Sequence, residues 1–404
     1  MELQGKFADA KIYAKDLEEG AKQQIVTLLD QDFIEGSKVR IMPDVHQGVG
    51  CVIGFTADMG DKVIPNIVGV DIGCGMLTVE LGNVEIDLPT IDKIIHNKIP
   101  SGNKIHNEKK HNFEKLKDLH CYRDLKNTKR IERSLGTLGG GNHFIEVGAD
   151  EYNNKYLVIH SGSRNLGKQV ADIYQRLAID LCSGKEEFFI KKEEIIKKYK
   201  EDGKRKEITS ILKELKKNYK DLEPNYPKEL CYLTGTYREK YLHDMNICQE
   251  YASINRKVMA DIIIDELLNK KLADFESFET VHNYINFKDN IIRKGAIAAY
   301  RGEKIMIPIN MRDGSIIAIG KGNPDWNYSA PHGAGRLMSR SVAKEELSMD
   351  DFKRSMEGIY SSSINESTLD ESPFAYKSMN DILEAINDTA DIITIIKPIY
   401  NFKA

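Results

Sequence analysis

Gly69-Val70-Asp71-Ile72-Gly73-Cys74-Gly75-Met76 sets a carboxylate and a thiol three positions apart among three glycines. A carboxylate and a thiolate so spaced can point at one cation, and glycine lets the backbone turn tightly beside them. The same pattern also fits a plain turn after an apolar strand, so its meaning depends on what further ligands the chain supplies. Residues 64–70 and 76–81 read as flanking strands, which makes the stretch a connection inside a β-rich body.

Working outward, residues 14–29 have the spacing of an amphipathic helix and 39–42 that of a short strand. Pro43-Asp44-Val45-His46-Gln47-Gly48-Val49-Gly50 reads as a polar, glycine-bearing turn before a buried strand at 51–55. Between His96 and Arg130 the chain is rich in Lys, Asn and His, and solvated surface with some helix is expected. Leu135-Gly136-Thr137-Leu138-Gly139-Gly140-Gly141-Asn142-His143-Phe144-Ile145-Glu146-Val147 is a glycine-rich loop entering a strand. Another strand is expected at 156–160, ending in His160-Ser161-Gly162-Ser163-Arg164, with a helix over 168–181.

Residues 183–228 are heavily charged, with apolar positions at helical spacing (Ile190, Ile195, Ile196, Tyr199; Ile208, Ile211, Leu212, Leu215). They predict a helical hairpin projecting from the main body, either a solvated helix pair or an arm that contacts RNA or a partner. One long helix or two follow over 236–270, then a strand at 280–287. A β-hairpin joins 305–309 to 316–319 through Asn310-Met311-Arg312-Asp313-Gly314. Ser329-Ala330-Pro331-His332-Gly333-Ala334-Gly335-Arg336 precedes a helix from about Leu337. With no internal repeat and no long low-complexity linker, the fold expected is α+β: one mixed α/β body over 1–404 carrying the 183–228 insertion.

The 404 residues, 41% hydrophobic and 30% charged, describe a globular chain with a sizeable core. A formal charge of −4 excludes bulk attraction to nucleic acid, so any such binding needs a local basic surface. No basic-then-apolar leader opens the sequence and no apolar run spans a membrane. Six cysteines without a CxxC pair argue against a zinc ribbon and against a disulfide scaffold. A cytoplasmic protein with reduced thiols, not bound to a membrane, is the expectation.

His46, His143, His160, His282 and His332 all sit at strand edges or in glycine-rich turns beside small polar residues. Asp71, Cys74, His143, His160 and His282 together exceed what one four-coordinate catalytic ion with an open position would use. A thiolate can bridge two cations, so two ions sharing Cys74 would use the set economically. A single structural zinc is the competing reading, although structural sites prefer closed, Cys-rich sets. Mixed O, N and S donors admit Mn, Fe, Co or Zn. The loops at 139–141 and 333–335 expose backbone N–H groups suited to phosphate, and the second is expected to lead into a helix N-terminus. Neither matches a P-loop or a dinucleotide fingerprint.

Pro43-Asp44-Val45-His46, Gly69 to Met76, Gly140-Gly141-Asn142-His143-Phe144-Ile145-Glu146, His160-Ser161-Gly162-Ser163-Arg164, Val281-His282-Asn283 and His332-Gly333-Ala334-Gly335-Arg336 appear in the order found in RtcB-type RNA-splicing ligases. The resemblance runs from Pro43 to Lys403. It implies β-sheets around a central metal and nucleotide cleft, and GTP-dependent joining of an RNA 3′-phosphate or 2′,3′-cyclic phosphate to a 5′-hydroxyl with two Mn²⁺ ions. On that resemblance Asp71, Cys74 and His143 would hold one metal, and Cys74, His160 and His282 the other. His332 would be the nucleophile that takes GMP from GTP. Asn142, His143, Glu146, His282, Asn283, Pro308, Ile309, Asn310, Met311, Ser315, His332, Gly333, Ala334, Gly335 and Lys403 would line the guanine nucleotide. An archease-like activator is known for some relatives.

The alternative from a different class is a binuclear metallohydrolase acting on phosphoesters with an activated water. It needs no nucleophilic histidine apart from the metal ligands. His332 in its glycine loop therefore discriminates between the two.

Overall fold

Two long strands, one about two-thirds of the way along the chain and one at its end, tie the sheet together by changing partners part-way along. In the computed structural model, which describes residues 1–217, 219 and 222–403, the chain order is as follows. Strands β1 (Glu2–Gln4) and β2 (Asp9–Ile12) precede helix α1 (Glu19–Leu29), β3 (Val39–His46), β4 (Ile53–Asp58) and α2 (Pro65–Val68). Then come β5 (Gly75–Gly82), α3 (Leu88–Lys98), α4 (Thr128–Glu132), β6 (Phe144–Ala149) and β7 (Lys155–Ser161). A helical section follows with α5 (Arg164–Cys182), α6 (Glu186–Glu201), α7 (Ile208–Lys217) and α8 (Gly235–Leu268). The last third contains β8 (Glu276–Ile285), β9 (Ile291–Ala298), β10 (Lys304–Asn310), β11 (Gly314–Gly320), β12 (Ser329–Pro331), α9 (Arg340–Glu346), α10 (Met349–Ser355), α11 (Met379–Ala385) and β13 (Ala390–Lys403).

The strands join in the order β1-β2-β3-β4-β9-β8-β5-β7-β6-β13-β11-β10, with β12 added to β9. Only β2 and β3 pair in parallel among these neighbours. β8 runs against β5 as far as Val281, and from His282 its partner is β9. β13 runs against β11 up to Ile396 and against β6 from Lys397 to Lys403. The result is a mixed α/β fold built on one large, strongly bent sheet.

Side chains alternate across a strand, so both faces of β5, β6 and β7 need cover. Leu77, Val79, Ile145, Val147, Leu157 and Ile159 pack with Ile91 and Ile95 of α3 and Met259 and Ile263 of α8. Met76, Phe144 and Val158 meet Met306, Ile317 and Ile396 of the β10, β11, β13 layer. Burial on both faces explains why these strands read as near-continuous apolar runs.

Several expectations change. Residues 43–46 continue β3 instead of turning, although the β3–β4 ladder breaks between Ile41 and His46. Residues 64–70 form no strand: Pro65 opens the short helix α2, the position where a missing N–H does least harm. Helix α1 begins at Glu19, not at 14. The 96–130 stretch is only partly solvated, since His106, Phe113, Leu116, Leu119 and Cys121 are buried. The glycine loop after His332 does not run into a helix, because α9 starts at Arg340 behind a Ser339 cap. Residues 236–270 make a single helix, and the 305–319 hairpin forms as its spacing predicts. Within 183–228, α6 and α7 pack on each other, while residues 218, 220 and 221 lie outside the described residues.

Candidate active site

The stretch at 69–76 becomes a tight loop between α2 and β5, pinned from behind by α8. Gly73 holds φ +70, and a Cβ there would come within 2.8 Å of the Gln249 backbone, so the loop can lie this close only with glycine. Fully buried Arg256 donates to the carbonyls of Gly73 (2.9 Å) and Ser161 (2.8 Å), and pairs with Glu279 at 2.8 Å. Its neighbour Asn255 accepts from Gly136 N (2.8 Å) and Thr137 N (3.0 Å). Its amide donates to Thr137 O, Ser161 Oγ and Gly162 O. Two adjacent residues of one helix thus hold the 69–76 loop, the glycine-rich loop and the end of β7 in register.

These loops bring five donors together in two overlapping groups, Asp71–Cys74–His143 and Cys74–His160–His282, which share Cys74. Cys74 Sγ lies 3.4 Å from Nε2 of both His143 and His160. His143 Nε2 is 3.1 Å from Asp71 Oδ2, and His160 Nε2 is 3.3 Å from His282 Nε2. Leu138 O lies 2.8 Å from His143 Nδ1 and Asn142 O lies 3.3 Å from His160 Nδ1. A carbonyl only accepts, so each Nδ1 carries the proton and each Nε2 turns a lone pair towards the other donors. At His143 a lone pair then faces the Asp71 carboxylate without a proton between them, an arrangement that a cation between the donors relieves. Burial first, and neighbouring imidazoles second, hold His160 and His282 well below the usual histidine range, in the neutral form that ligates. Burial and the Asp71 charge raise the Cys74 thiol, so its thiolate form calls for an apposed cation. The mixed O, N and S donors of the two groups fit borderline divalent metal chemistry.

His332 lies next to this cluster, its ring centroid 4.8 Å from that of His282. Its Nδ1 donates to Asp44 Oδ2 at 2.6 Å, and its backbone N–H donates to the same oxygen at 3.1 Å. Asp44 is completely buried, at the point where the β3–β4 ladder breaks. The carboxylate fixes the tautomer and leaves Nε2 of His332 as a free lone pair. Gly335 (φ +76) lets this loop press against β3; a Cβ would sit 2.6 Å from Asp44 O. Asp44 was visible in the sequence only as part of a motif, with no role assigned. Its partner is 288 positions away.

A cleft opens beside His332. Asn142, Glu146, Pro308, Ile309, Asn310, Met311, Ser315, His332, Gly333, Ala334, Gly335 and Lys403 all line it. His46, Arg336, Arg340, Glu371, Tyr376 and Asn401 line it too, none of which sequence reasoning had assigned to the nucleotide. His143 and His282, also expected against the nucleotide, do not line the cleft, and neither does Asn283. With φ +77, it donates to Asp71 O (3.3 Å) and accepts from Gly295 N (2.9 Å), bracing the metal loop. Glu146 accepts from Asn401 at 2.8 Å while its other oxygen has no partner. Burial pushes its carboxyl up to about 8. Lys403 pairs with buried Glu371, whose carboxyl the Lys403 and Arg340 charges hold down at about 2 against the effect of burial.

A second, polar cavity lies where α5 begins, lined by Gly102, Asn103, Asn127, Arg130, Gly140, Arg164 and Lys168 among others. His120, His243 and Asp244 form a further group of metal-type donors. There each Asp244 oxygen already accepts two hydrogen bonds, from His120 N, His243 Nδ1, Cys121 N and Tyr174 OH, which is the pattern of a structural carboxylate.

The family model described as tRNA-splicing ligase RtcB matches residues 24–123 and 111–404. The chain belongs to the RtcB family. The RNA-splicing ligase RtcB of Escherichia coli K12 is 29% identical over 97% of this chain and 96% of its own. The tRNA-splicing ligases RtcB of Archaeoglobus fulgidus (26% identical; 92% and 88%) and Aeropyrum pernix (27%; 85% and 83%) are similar along most of their lengths. Among the described residues no helix is long and apolar enough to cross a membrane.

Proposed function

We propose that this RtcB-family RNA ligase joins RNA ends bearing a 3′-phosphate or 2′,3′-cyclic phosphate to 5′-hydroxyl ends, using GTP and two Mn²⁺ ions, in splicing or repair. The observation that carries the reading is the pairing of His332 with buried Asp44 beside two donor triads that share Cys74. Asp71, Cys74 and His143 would hold one ion and Cys74, His160 and His282 the other. Bound there, the ions supply positive charge to non-bridging phosphate oxygens and orient the leaving group.

The chain's own groups do the rest. Nε2 of His332 attacks the α-phosphorus of GTP and pyrophosphate departs; Asp44 holds the Nδ1 proton and steadies the charge that develops on the ring. An oxygen of the RNA 3′-phosphate then displaces His332 from the adduct, giving an RNA 3′-end activated by GMP. Attack of the 5′-hydroxyl on that 3′-phosphorus forms the phosphodiester and releases GMP. A cyclic end is first hydrolysed to the 3′-monophosphate. Glu146, with an unpartnered oxygen, and the ammonium of Lys403 suit the donor and acceptor edge of guanine. Arg130, Arg164 and Lys168 offer cations to the RNA backbone.

We read residues 1–404 as one catalytic domain around this central cleft, with 183–228 as a charged insertion, working in the cytoplasm. An archease-like activator is compatible with this reading. A metallohydrolase would leave His332 and its buried carboxylate without a task. The deciding experiment is incubation with α-labelled GTP and Mn²⁺ followed by denaturing electrophoresis. The protein should carry label, and His332→Ala should abolish it. An unlabelled wild type, or label that survives the substitution, refutes the covalent route.

A further inference from the structure

We propose that the α6–α7 hairpin is an RNA-binding arm that grips the phosphate backbone of the substrate away from the break. The inference rests on the ligase reading, and it assigns a role to a part of the chain that the chemistry of the cleft does not use.

Charge is segregated along this sequence. Between Ser183 and Lys217 there are twelve Lys and Arg against eight Asp and Glu, within a chain whose formal charge is −4. The surplus concentrates at the tip. Residues 197–207 hold Lys197, Lys198, Lys200, Lys204, Arg205 and Lys206 against Glu201, Asp202 and Glu207, and positions 200–207 are all exposed. Among the described residues none of those six cations pairs with a carboxylate. The pairs that do form lie nearer the base, among them Lys185 with Asp180, Lys191 with Glu187, Lys217 with Glu214 and Lys240 of α8 with Glu193. Basic groups held out in water and unneutralised by their neighbours form an electrostatic footprint for a polyanion.

The arm's construction agrees. Neither α6 nor α7 contains a buried residue. Its apolar positions, Ile195, Ile196 and Tyr199 on one helix and Ile208, Ile211, Leu212 and Leu215 on the other, are half-buried in the hairpin's own seam. The hairpin therefore adds little to the core of the body.

Its attachment links it to the site. Helix α5 begins at Arg164, in the cavity that adjoins the glycine-rich loop, and ends at Cys182, just before the arm. Its 19 residues span about 28 Å. Arg164, Lys168 and Arg176 recur at multiples of four along it, a slowly turning stripe in which Lys168 and Arg176 are exposed. Asp172 interrupts the stripe and pairs with Lys168. An RNA whose end enters the cavity can follow this face outward to the arm. The partner that fits is a phosphodiester backbone read by charge, without base contacts.

The test compares two substrates: a broken RNA stem extending well beyond the break, and a short oligonucleotide pair that ends near the cleft. In the variant Lys204→Glu/Arg205→Glu/Lys206→Glu, KM for the long substrate should rise about tenfold, and the slope of log affinity against log salt should fall by about two. Its kcat, its KM for the short pair and its Tm should stay at wild-type values. A matched control, Lys6→Glu/Lys288→Glu/Lys353→Glu, changes exposed lysines elsewhere by the same total charge and should shift long-substrate KM far less. Equal effects on both substrates, an equal effect of the control, or unchanged RNA affinity overturns the proposal; the last outcome would turn attention to a protein partner. If wild type joins neither substrate, the ligase reading itself fails, which is a separate result.

Discussion

Asp44 and His332 show how much depends on which nitrogen carries a proton. With Nδ1–H donated to a buried carboxylate at 2.6 Å, only Nε2 keeps a lone pair, the one the proposed covalent route would use. Asp44→Asn keeps the shape but can present an amide N–H to Nδ1 and so move the ring proton to Nε2. We expect labelling by α-labelled GTP to slow by about 10²–10⁴ while GTP binding changes little, by analogy with the orienting carboxylate of hydrolase triads. Rapid-quench labelling alongside equilibrium binding would check it, and loss of binding with an unchanged labelling rate would contradict it. Glu146 gives a prediction in pH. Its carboxyl is pushed up to about 8 by burial, so it is largely protonated at pH 6 and ionises towards pH 8. A carboxylate is the form that accepts from the amino group of guanine, so guanosine affinity should climb between about pH 6 and 8, and Glu146→Gln should flatten the profile. Guanosine is the probe because it carries no titrating phosphate. The sign for stability is the reverse: a carboxyl raised in the folded state costs nothing below its ordinary value and progressively more as pH rises towards 8, so Glu146→Gln should gain Tm relative to wild type over that window.

At the scale of elements, helix α8 carries more of the site than its sequence announces. Arg256 and Asn255 are buried polar residues whose backbone partners lie 93 to 183 positions away, so nothing local marks them as pegs. Arg256→Met would leave the Gly73 and Ser161 carbonyls without their donor and Glu279 with only the exposed Lys257 as a cation beside it. It should destabilise the fold by about 3–5 kcal/mol, read as a fall in denaturation midpoint, and should weaken metal binding as well. A variant as stable as wild type would contradict the peg. The convergence of Asp71, Cys74, His143, His160 and His282, by contrast, was foreseeable, because several such side chains beside glycine-rich turns, in the order of a family's motifs, suggest one site. Strands β9 and β13 were not. Ile291–Ala298 contains Arg293, Lys294 and Gly295, which break the alternation, yet both charged groups are buried, Arg293 against Ser329 Oγ and Lys294 against the carbonyls of Cys51 and Asn66. Ala390–Lys403 carries Pro398 in its interior and survives because its ladder shifts register there. In β9 distant partners satisfy what the local pattern forbids, and in β13 a shift of register accommodates it.

Taken as a whole molecule, the site joins parts of the chain that are far apart. Asp71 and Cys74 lead into β5, His143 leads into β6, His160 ends β7, and His282 sits where β8 exchanges β5 for β9. Four neighbouring strands therefore converge on one sulfur. Metal binding should act as a clamp on the entire sheet, because ions that bind the folded chain and not the unfolded one add RT ln(1 + [L]/Kd), about 2.7 kcal/mol at a hundredfold excess over Kd. Titrating Mn²⁺ into chelator-treated protein should raise Tm with concentration, and the response should approach two ions per chain by metal analysis. Cys74→Ala removes the donor shared by both triads and should abolish both ions together, leaving a Tm that no longer responds to Mn²⁺. His282→Ala touches only the second triad and should retain one ion. Retention of one ion by Cys74→Ala would contradict the shared bridge, even if the other four donors bind as placed.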